Sequence, residues 1–345
     1  MRITNSYITR NYLNNLNRSL NLYNDSANRL NTGRKFNKMS ENVSDGTRAL
    51  TIRTQSYKNE QIQENVKKAG ENLYVAESNL MSIKDIIDGV HSNTIQALNG
   101  TNESAADIYA TDFNAVKNQI IEFANCRYNN TYVLGGTNNT TAPFEVDANG
   151  ELLYNGVNVN DIEKNGEKFF VGTTEVPNSN SVYLDIGIDM TVKNGRVDSR
   201  TAFNMTVSGL DCLGYGTTEV TYDDGKGGTV TEDFPNNAYE IMDEMAKAVS
   251  EKNTERLGAL NDHLKKTFDN LVTEISDIGI RTNYLDRHTS RLEDEEFVLT
   301  EIQNDVEYIK ETDELINNRD MEYSWLLTLQ YGSKVLPKSL MDYVQ

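Results

Sequence analysis

The chain has little with which to hold itself together covalently or to do chemistry. Two cysteines occur in 345 residues, Cys126 and Cys212. They stand far apart with no metal-ligand spacing around them, so free thiols are expected. Only three histidines are present, His91, His263 and His288. Each falls on a helical stretch without another ligand type at metal spacing, so the expected place of each is a bundle edge or solvent. No apolar run reaches the length of a membrane span, and the opening residues lack the apolar core of a secretory signal. A net charge of −19 argues against a nucleic-acid partner, which requires a basic surface. Hydrophobic residues make up 37% and mean hydropathy is −0.60. So small an apolar share suits narrow stripes along helices better than one rounded core. Proline is rare too: three of the four, Pro143, Pro177 and Pro235, crowd one stretch, which leaves the rest free to run as long helices.

Glycine-rich and acidic motifs do not fill the chemical gap. The Gly-Tyr-Gly at 214–216 and the Gly-Lys-Gly-Gly at 225–228 are not followed by an apolar helix, as a phosphate-binding loop requires, and read as turns. The acidic run at 293–296 lies on a helical stretch, where neighbouring side chains point in different directions. No nucleophile, base and orienting group assemble from these spacings. Neither an enzyme nor a cofactor or metal site is expected.

What the chain does have is heptad seams. Leu13, Leu16, Leu20, Tyr23, Ala27 and Leu30 alternate steps of three and four. From about Thr47 to Asn99 a second seam runs through Ile62, Val66, Ala69, Leu73, Ala76, Leu80, Ile83, Ile87, Val90, Thr94 and Ala97 without a slip. A shorter stretch puts Phe113, Val116, Ile120 and Phe123 on one face. Near the other end Leu257, Leu264, Leu271, Ile278, Leu285, Leu292, Leu299 and Val306 recur every seven residues. Their second seam position is apolar only at places such as Leu260, Ile302, Ile309 and Ile316. Between these it is polar: Thr267, Glu274, Arg281, His288 and Glu295. That pattern fits a bundle with one edge in water better than a two-stranded coiled coil.

Between the helical parts, Thr137 to about Pro235 changes character. Val182, Leu184, Ile186 and Ile188 alternate at strand period, and the segments TVKNGRV and TYDDGKGGTVT carry hairpin turn signals. The fold class expected is mainly α with a β-rich insert. The C-terminal helices fold back antiparallel beside the N-terminal ones, which makes the two ends neighbours. Charge supports this pairing: residues 1–58 hold ten Lys/Arg against three Asp/Glu, and residues 291–345 five against thirteen. The seam at 13–30 then meets Leu315, Trp325, Leu326, Leu329, Val335 and Leu336.

Four stretches together resemble the flagellin superfamily: the opening MRITNSYITRNYLNNLN, RLNTGRKFNKMSENVSDGTRAL, NNTYVLGGTNNTTAPF and the ending VLPKSLMDYV. The Gly-Gly-Thr stretch and the Pro-x-Ser-Leu ending favour its hook–filament junction branch over filament flagellin. One departure is SENV at 40–43, where relatives often carry Ser-Asp-Asp-Pro. The segment from about 146 to 235 resembles nothing placed.

The resemblance implies an elongated flagellin-like bundle in three nested parts: paired terminal helices (1–44 and 311–345), a helical-bundle domain (45–136 and 236–310) and a β-rich outer domain (137–235). It implies a structural adaptor set between hook-associated protein 1 and flagellin, assembled as a ring of its own copies. It implies an export chaperone and passage through the flagellar secretion channel to the extracellular flagellum, without a cleaved signal peptide or membrane insertion. The expected assembly interface is Leu13, Leu16, Leu20, Tyr23, Leu30, Leu315, Trp325, Leu326, Leu329, Leu336 and Leu340. The alternatives are filament flagellin itself, or a secreted coiled-coil adhesin whose β-rich insert is a binding head.

Overall fold

The structure, a computed structural model, describes residues 5–99, 103–138, 140–166, 168–188, 190–193, 196–198, 200–225 and 227–335. Three helices come first: α1 (Asn5–Thr32), α2 (Val43–Asn99) and α3 (Glu103–Ala124). Short strands follow: β1 (Arg127–Tyr128), β2 (Thr131–Tyr132), β3 (Phe144–Val146), β4 (Leu152–Tyr154), β5 (Val157–Asn158), β6 (Glu163–Asn165), β7 (Lys168–Val171), β8 (Thr174–Glu175), β9 (Tyr183–Leu184), β10 (Val192–Lys193), β11 (Arg196–Val197) and β12 (Phe203–Asn204). After the short α4 (Gly209–Leu213) come the paired β13 (Thr217–Asp223) and β14 (Thr229–Pro235), then α5 (Ala238–Ser250), α6 (Thr254–Glu307) and α7 (Glu311–Val335). The order of helices, β insert and helices is the one the sequence implies.

Two compact units result, one of Met1–Glu60 with Leu292–Gln345, the other Gln61–Arg291. In the second unit the two long seams are the core. Val66, Ala69, Leu73, Ala76, Leu80, Ile83, Ile87, Val90 and Thr94 of α2 are buried, as are Leu257, Leu264, Leu271, Ile278 and Leu285 of α6. The two helices run antiparallel: Lys84 Nζ lies 5.5 Å from the Phe268 ring, and His91 Nδ1 is 2.9 Å from Asn261 Oδ1. Beside them α3 packs on α5, with Phe113 and Ile120 buried on one and Ile241, Met242 and Met245 on the other. Helix α5 is not read from the sequence, although Asn237 caps its start by accepting from Tyr239 N.

The insert builds small antiparallel sheets. Strand β13 pairs with β14 over seven residues, from Thr217↔Pro235 to Asp223↔Thr229, and β10 pairs with β11, so both predicted hairpins form. Of the alternating run at 182–188, only Tyr183–Leu184 is a strand. Asn155 and Gly156, both at positive φ (50° and 84°), turn β4 into β5 as an Asn-Gly hairpin turn requires. The Gly-Gly of the YVLGGT stretch has a steric reason. A side chain on Gly135 would lie 2.3 Å from the Asn138 carbonyl oxygen, and one on Gly136 (φ 66°) 2.3 Å from that of Asn178.

Of the polar row of α6, Glu295 faces water, but Thr267, Arg281 and His288 do not stand free. His263 Nε2 meets the Pro235 carbonyl at 3.1 Å, and the Thr267 hydroxyl donates to the Asn236 carbonyl at 3.1 Å. Arg281 donates to the Thr206 carbonyl at 2.9 Å, and His288 meets the Ile186 carbonyl. These positions are polar because loop backbone docks on them, and buried carbonyls need donors. His263 and His288, expected at an edge, are 5% and 7% exposed. His288 also stacks on Tyr284, which stacks on Phe203, with ring centres 6.0 and 6.1 Å apart.

In the first unit Ala49 and Ile52 of α2 pack against Leu299 and Val306 of α6, with Phe36 and Ile302 at the margin. Asn59 Nδ2 donates to the Leu292 carbonyl at 2.9 Å. Helices α1 and α7 lie side by side, so the expected pairing of the two ends forms.

Candidate assembly interface

Helix α1 stops at Gly33, whose φ of 70° gives the left-handed cap and whose N–H bonds the Arg29 carbonyl at 2.8 Å. Helix α7 starts with Glu311, Asp313 and Glu314 in its first turn, where carboxylates suit the helix dipole. The connectors that lead out of α1 and into α7 clasp one another. Lys35 N–H donates to the Glu307 carbonyl at 2.8 Å and Ile309 N–H to the Gly33 carbonyl at 3.0 Å. Glu307, buried at 2% exposure, is bonded by Arg53, which holds its carboxyl below the usual range.

Beyond this clasp the two helices meet along an unusual seam. On α1 it runs through Tyr12, Leu16, Ser19, Tyr23, Ser26 and Leu30, all buried or half-buried. On α7 it runs through Glu314, Asn318, Met321, Trp325, Thr328 and Gly332. Tyr23 and Trp325 stack with ring centres 5.9 Å apart and planes 5° from parallel. Ser26, fully buried, donates its hydroxyl to Glu314 Oε1 at 2.7 Å, and Arg29 reaches the same oxygen at 2.8 Å. Burial pushes the Glu314 carboxyl up, but these donors outweigh it and hold it below the usual range. Tyr12 covers Gly332, where a Cβ would come within 2.0 Å of its hydroxyl oxygen. Asn318 Nδ2 is buried with no partner among the described residues. Small and polar groups therefore make up much of the contact.

Many of the apolar groups of the two helices lie outside this contact. Of the expected interface residues, Leu16, Leu20, Tyr23, Leu30 and Trp325 are half-buried, with Tyr23 and Trp325 in direct contact. Leu13, Leu315, Leu326 and Leu329 are 47%, 51%, 49% and 39% exposed. Leu336 and Leu340 lie outside the described residues. On α1 the contact row uses Tyr12 in place of Leu13, one residue out of the leucine phase. Ile316, Tyr323, Leu327 and Tyr331 of α7 are exposed as well, as are Tyr7 and Leu22 of α1. A groove of about 690 Å³ lies between the helices, lined by Tyr7, Tyr12, Leu327 and Tyr331 among others. A helix with apolar residues all round suits burial on more than one side. Exposed apolar area on this scale marks a contact surface.

Nothing in the pair suggests a reaction. Among the described residues no group of His, Cys, Asp and Glu could hold a metal ion, and no helix is long and apolar enough to cross a membrane. Cys126 and Cys212 are free. Burial pushes the Cys126 thiol up to about 11, so it is an unreactive thiol at neutral pH.

Residues 3–139 match the family description "Bacterial flagellin N-terminal helical region". The chain is also similar in structure to a flagellar hook-associated protein from Vibrio parahaemolyticus, with 16% identity and a TM-score of 0.54, over 78% of this chain and 100% of that one. The fold is the one seen in solved flagellar hook-associated proteins. Flagellar hook-associated protein 3 from Legionella pneumophila shares it at 14% identity and TM-score 0.53, over 74% and 98% of the two chains. So does FlgL from Xanthomonas campestris at 13% identity and TM-score 0.52, over 72% and 98%. No curated protein sequence gives a significant match. At these identities what is shared is the architecture. Both features expected from it, terminal helices packed together and a β-rich region between helical parts, are present in this chain.

Proposed function

We propose that this chain is a structural subunit of the bacterial flagellum, an adaptor at the junction between hook-associated protein 1 and the flagellin filament. The observation that carries the reading is the α1–α7 pair. Much of its internal contact is small and polar, while Leu13, Leu315, Leu326 and Leu329 face outward. Such a pair gains most of its apolar burial from other chains, and a ring of identical subunits flanked by hook and filament proteins supplies them. The flagellin match over residues 3–139 and the hook-associated folds support the setting.

In this reading the nested division holds for the assembled subunit. The parts 1–44 and 311–345 are innermost, 45–136 with 236–310 form the bundle, and 137–235 is outermost. The subunit travels with an export chaperone and leaves through the flagellar channel. It is not an enzyme. Filament flagellin is the competing reading within the fold. Deleting the gene separates the two: intact hooks with flagellin lost unpolymerised to the medium support a junction protein. Hooks that still carry filaments overturn the proposal.

A further inference from the structure

The second unit contains a polar cleft that the assembly reading does not use. It measures about 490 Å³ and is lined by residues of α6, the start of β13 and the Gly-Tyr-Gly turn. Gly214 and Gly216, at φ 90° and 69°, hold that turn, and a side chain on Gly214 would lie 2.1 Å from the Asn236 carbonyl oxygen. The turn is no phosphate cradle, because Gly214 N–H bonds the Leu210 carbonyl and Gly216 N–H the Val159 carbonyl, each at 2.9 Å. What it presents is the Tyr215 ring, set edge-on against Phe169 at 5.2 Å.

The cleft's charges balance. Asp211 is paired with Lys164 at 2.5 Å. That leaves one carboxylate, Glu274, against one ammonium, Lys266, on the same wall. Glu274 has no hydrogen-bond partner among the described residues, and burial, with Asp211 nearby, raises its pKa. His263 is in the wall as well. The Pro235 carbonyl can only accept, so Nε2 carries the proton and Nδ1 is an acceptor. That Nδ1 is buried with no donor. An anion would meet Glu274 and a polyamine would meet Lys266. A neutral ligand rich in hydroxyls can donate to the unpartnered Glu274 carboxylate, and an aromatic face beside it suits the apolar face of a sugar ring.

We propose that this cleft binds a neutral saccharide, one face of a pyranose laid on Tyr215 and its hydroxyls bonded to Glu274 and Asn270. The test uses the full chain and three probes, the methyl β-glycosides of glucose, galactose and N-acetylglucosamine, read by saturation-transfer NMR. At least one glycoside is expected to show transfer to its ring protons and to shift the His263 imidazole signals. Glu274→Gln should weaken that binding about tenfold, the size of one hydrogen bond to a charged group. Because Tyr215 packs on Phe169, the second variant is Asn270→Trp, an exposed position whose new ring fills the cleft without touching the core; it should abolish transfer with an unchanged melt. Three results overturn the proposal. They are no transfer to any glycoside at millimolar concentration, transfer that survives Asn270→Trp, and a larger His263 response to inorganic phosphate or putrescine than to the glycosides.

Discussion

Leu326 and Leu329 separate the stability of the subunit from its incorporation. At 49% and 39% exposure, each is already about half in water in the free chain. Leu329→Asp should therefore change monomer stability by no more than about 1 kcal/mol, the usual range for a surface position that still makes some contact. In an assembled ring the same position loses the remaining apolar burial, about 1 kcal/mol for half a leucine. It must also place an unpaired carboxylate in a dry contact, about 3 kcal/mol after relaxation. A total of about 4 kcal/mol is nearly three decades in the incorporation equilibrium. The assay pairs a thermal melt of the purified variant with the amount of it retained at hook tips after export. A normal melt, normal export and loss from the hook tip is the expected pattern. Incorporation at wild-type level would refute the reasoning, because the outward leucines would then face solvent in the assembly too.

Trp325→Ala removes the Tyr23 stack, so it should loosen the α1–α7 pair by about 1 kcal/mol and raise hydrogen exchange in both helices; unchanged protection would count against the seam. His288→Leu leaves the Ile186 carbonyl without a donor and should destabilise the second unit by about 1–3 kcal/mol. A variant with residues 146–234 replaced by a Gly/Ser linker should lose cooperative melting, since Arg281 and His288 of α6 lose the Thr206 and Ile186 carbonyls; a sharp, wild-type transition would show the insert to be separable. The Glu307 carboxyl, held low by Arg53, contributes stability that is present above its unfolded pKa of 4.5 and lost as pH falls through its folded value. The melting difference between wild type and Glu307→Gln should thus be full at neutral pH and shrink below pH 4.5. A gap independent of pH would mean the ion pair is not its source.

The long helices were legible because a heptad seam is a local, repeated signal. From Val66 to Thr94 every position read as core in α2 is buried, as is every leucine of the α6 row from Leu257 to Leu299. The buried polar positions of α6 were misread because their partners are carbonyls 28 to 102 residues away in the chain, and periodicity carries no record of them. From β1 to β12 the insert offers little periodicity; its strands there are mostly two or three residues long and their order follows turn chemistry. Helix α5 could have been found from its Asn237 cap and the spacing of Ile241, Met245 and Val249. At the candidate interface the pairing of α1 with α7 followed from charge and chain order. Its contact row did not, because Ser26, Asn318 and Gly332 look like surface residues. Ser26 and Gly332 are buried because Glu314 accepts from the one and Tyr12 covers the other.

The most direct test of the central claim is a photo-crosslinker placed at position 326 or 329 and activated in purified hook–filament complexes. The account predicts adducts of this chain with a second copy of itself and with a hook- or filament-side subunit, and none from a crosslinker at the solvent-facing Glu219 on β13. Adducts confined to the chain's own α1, or a subunit found along the whole filament, would contradict it.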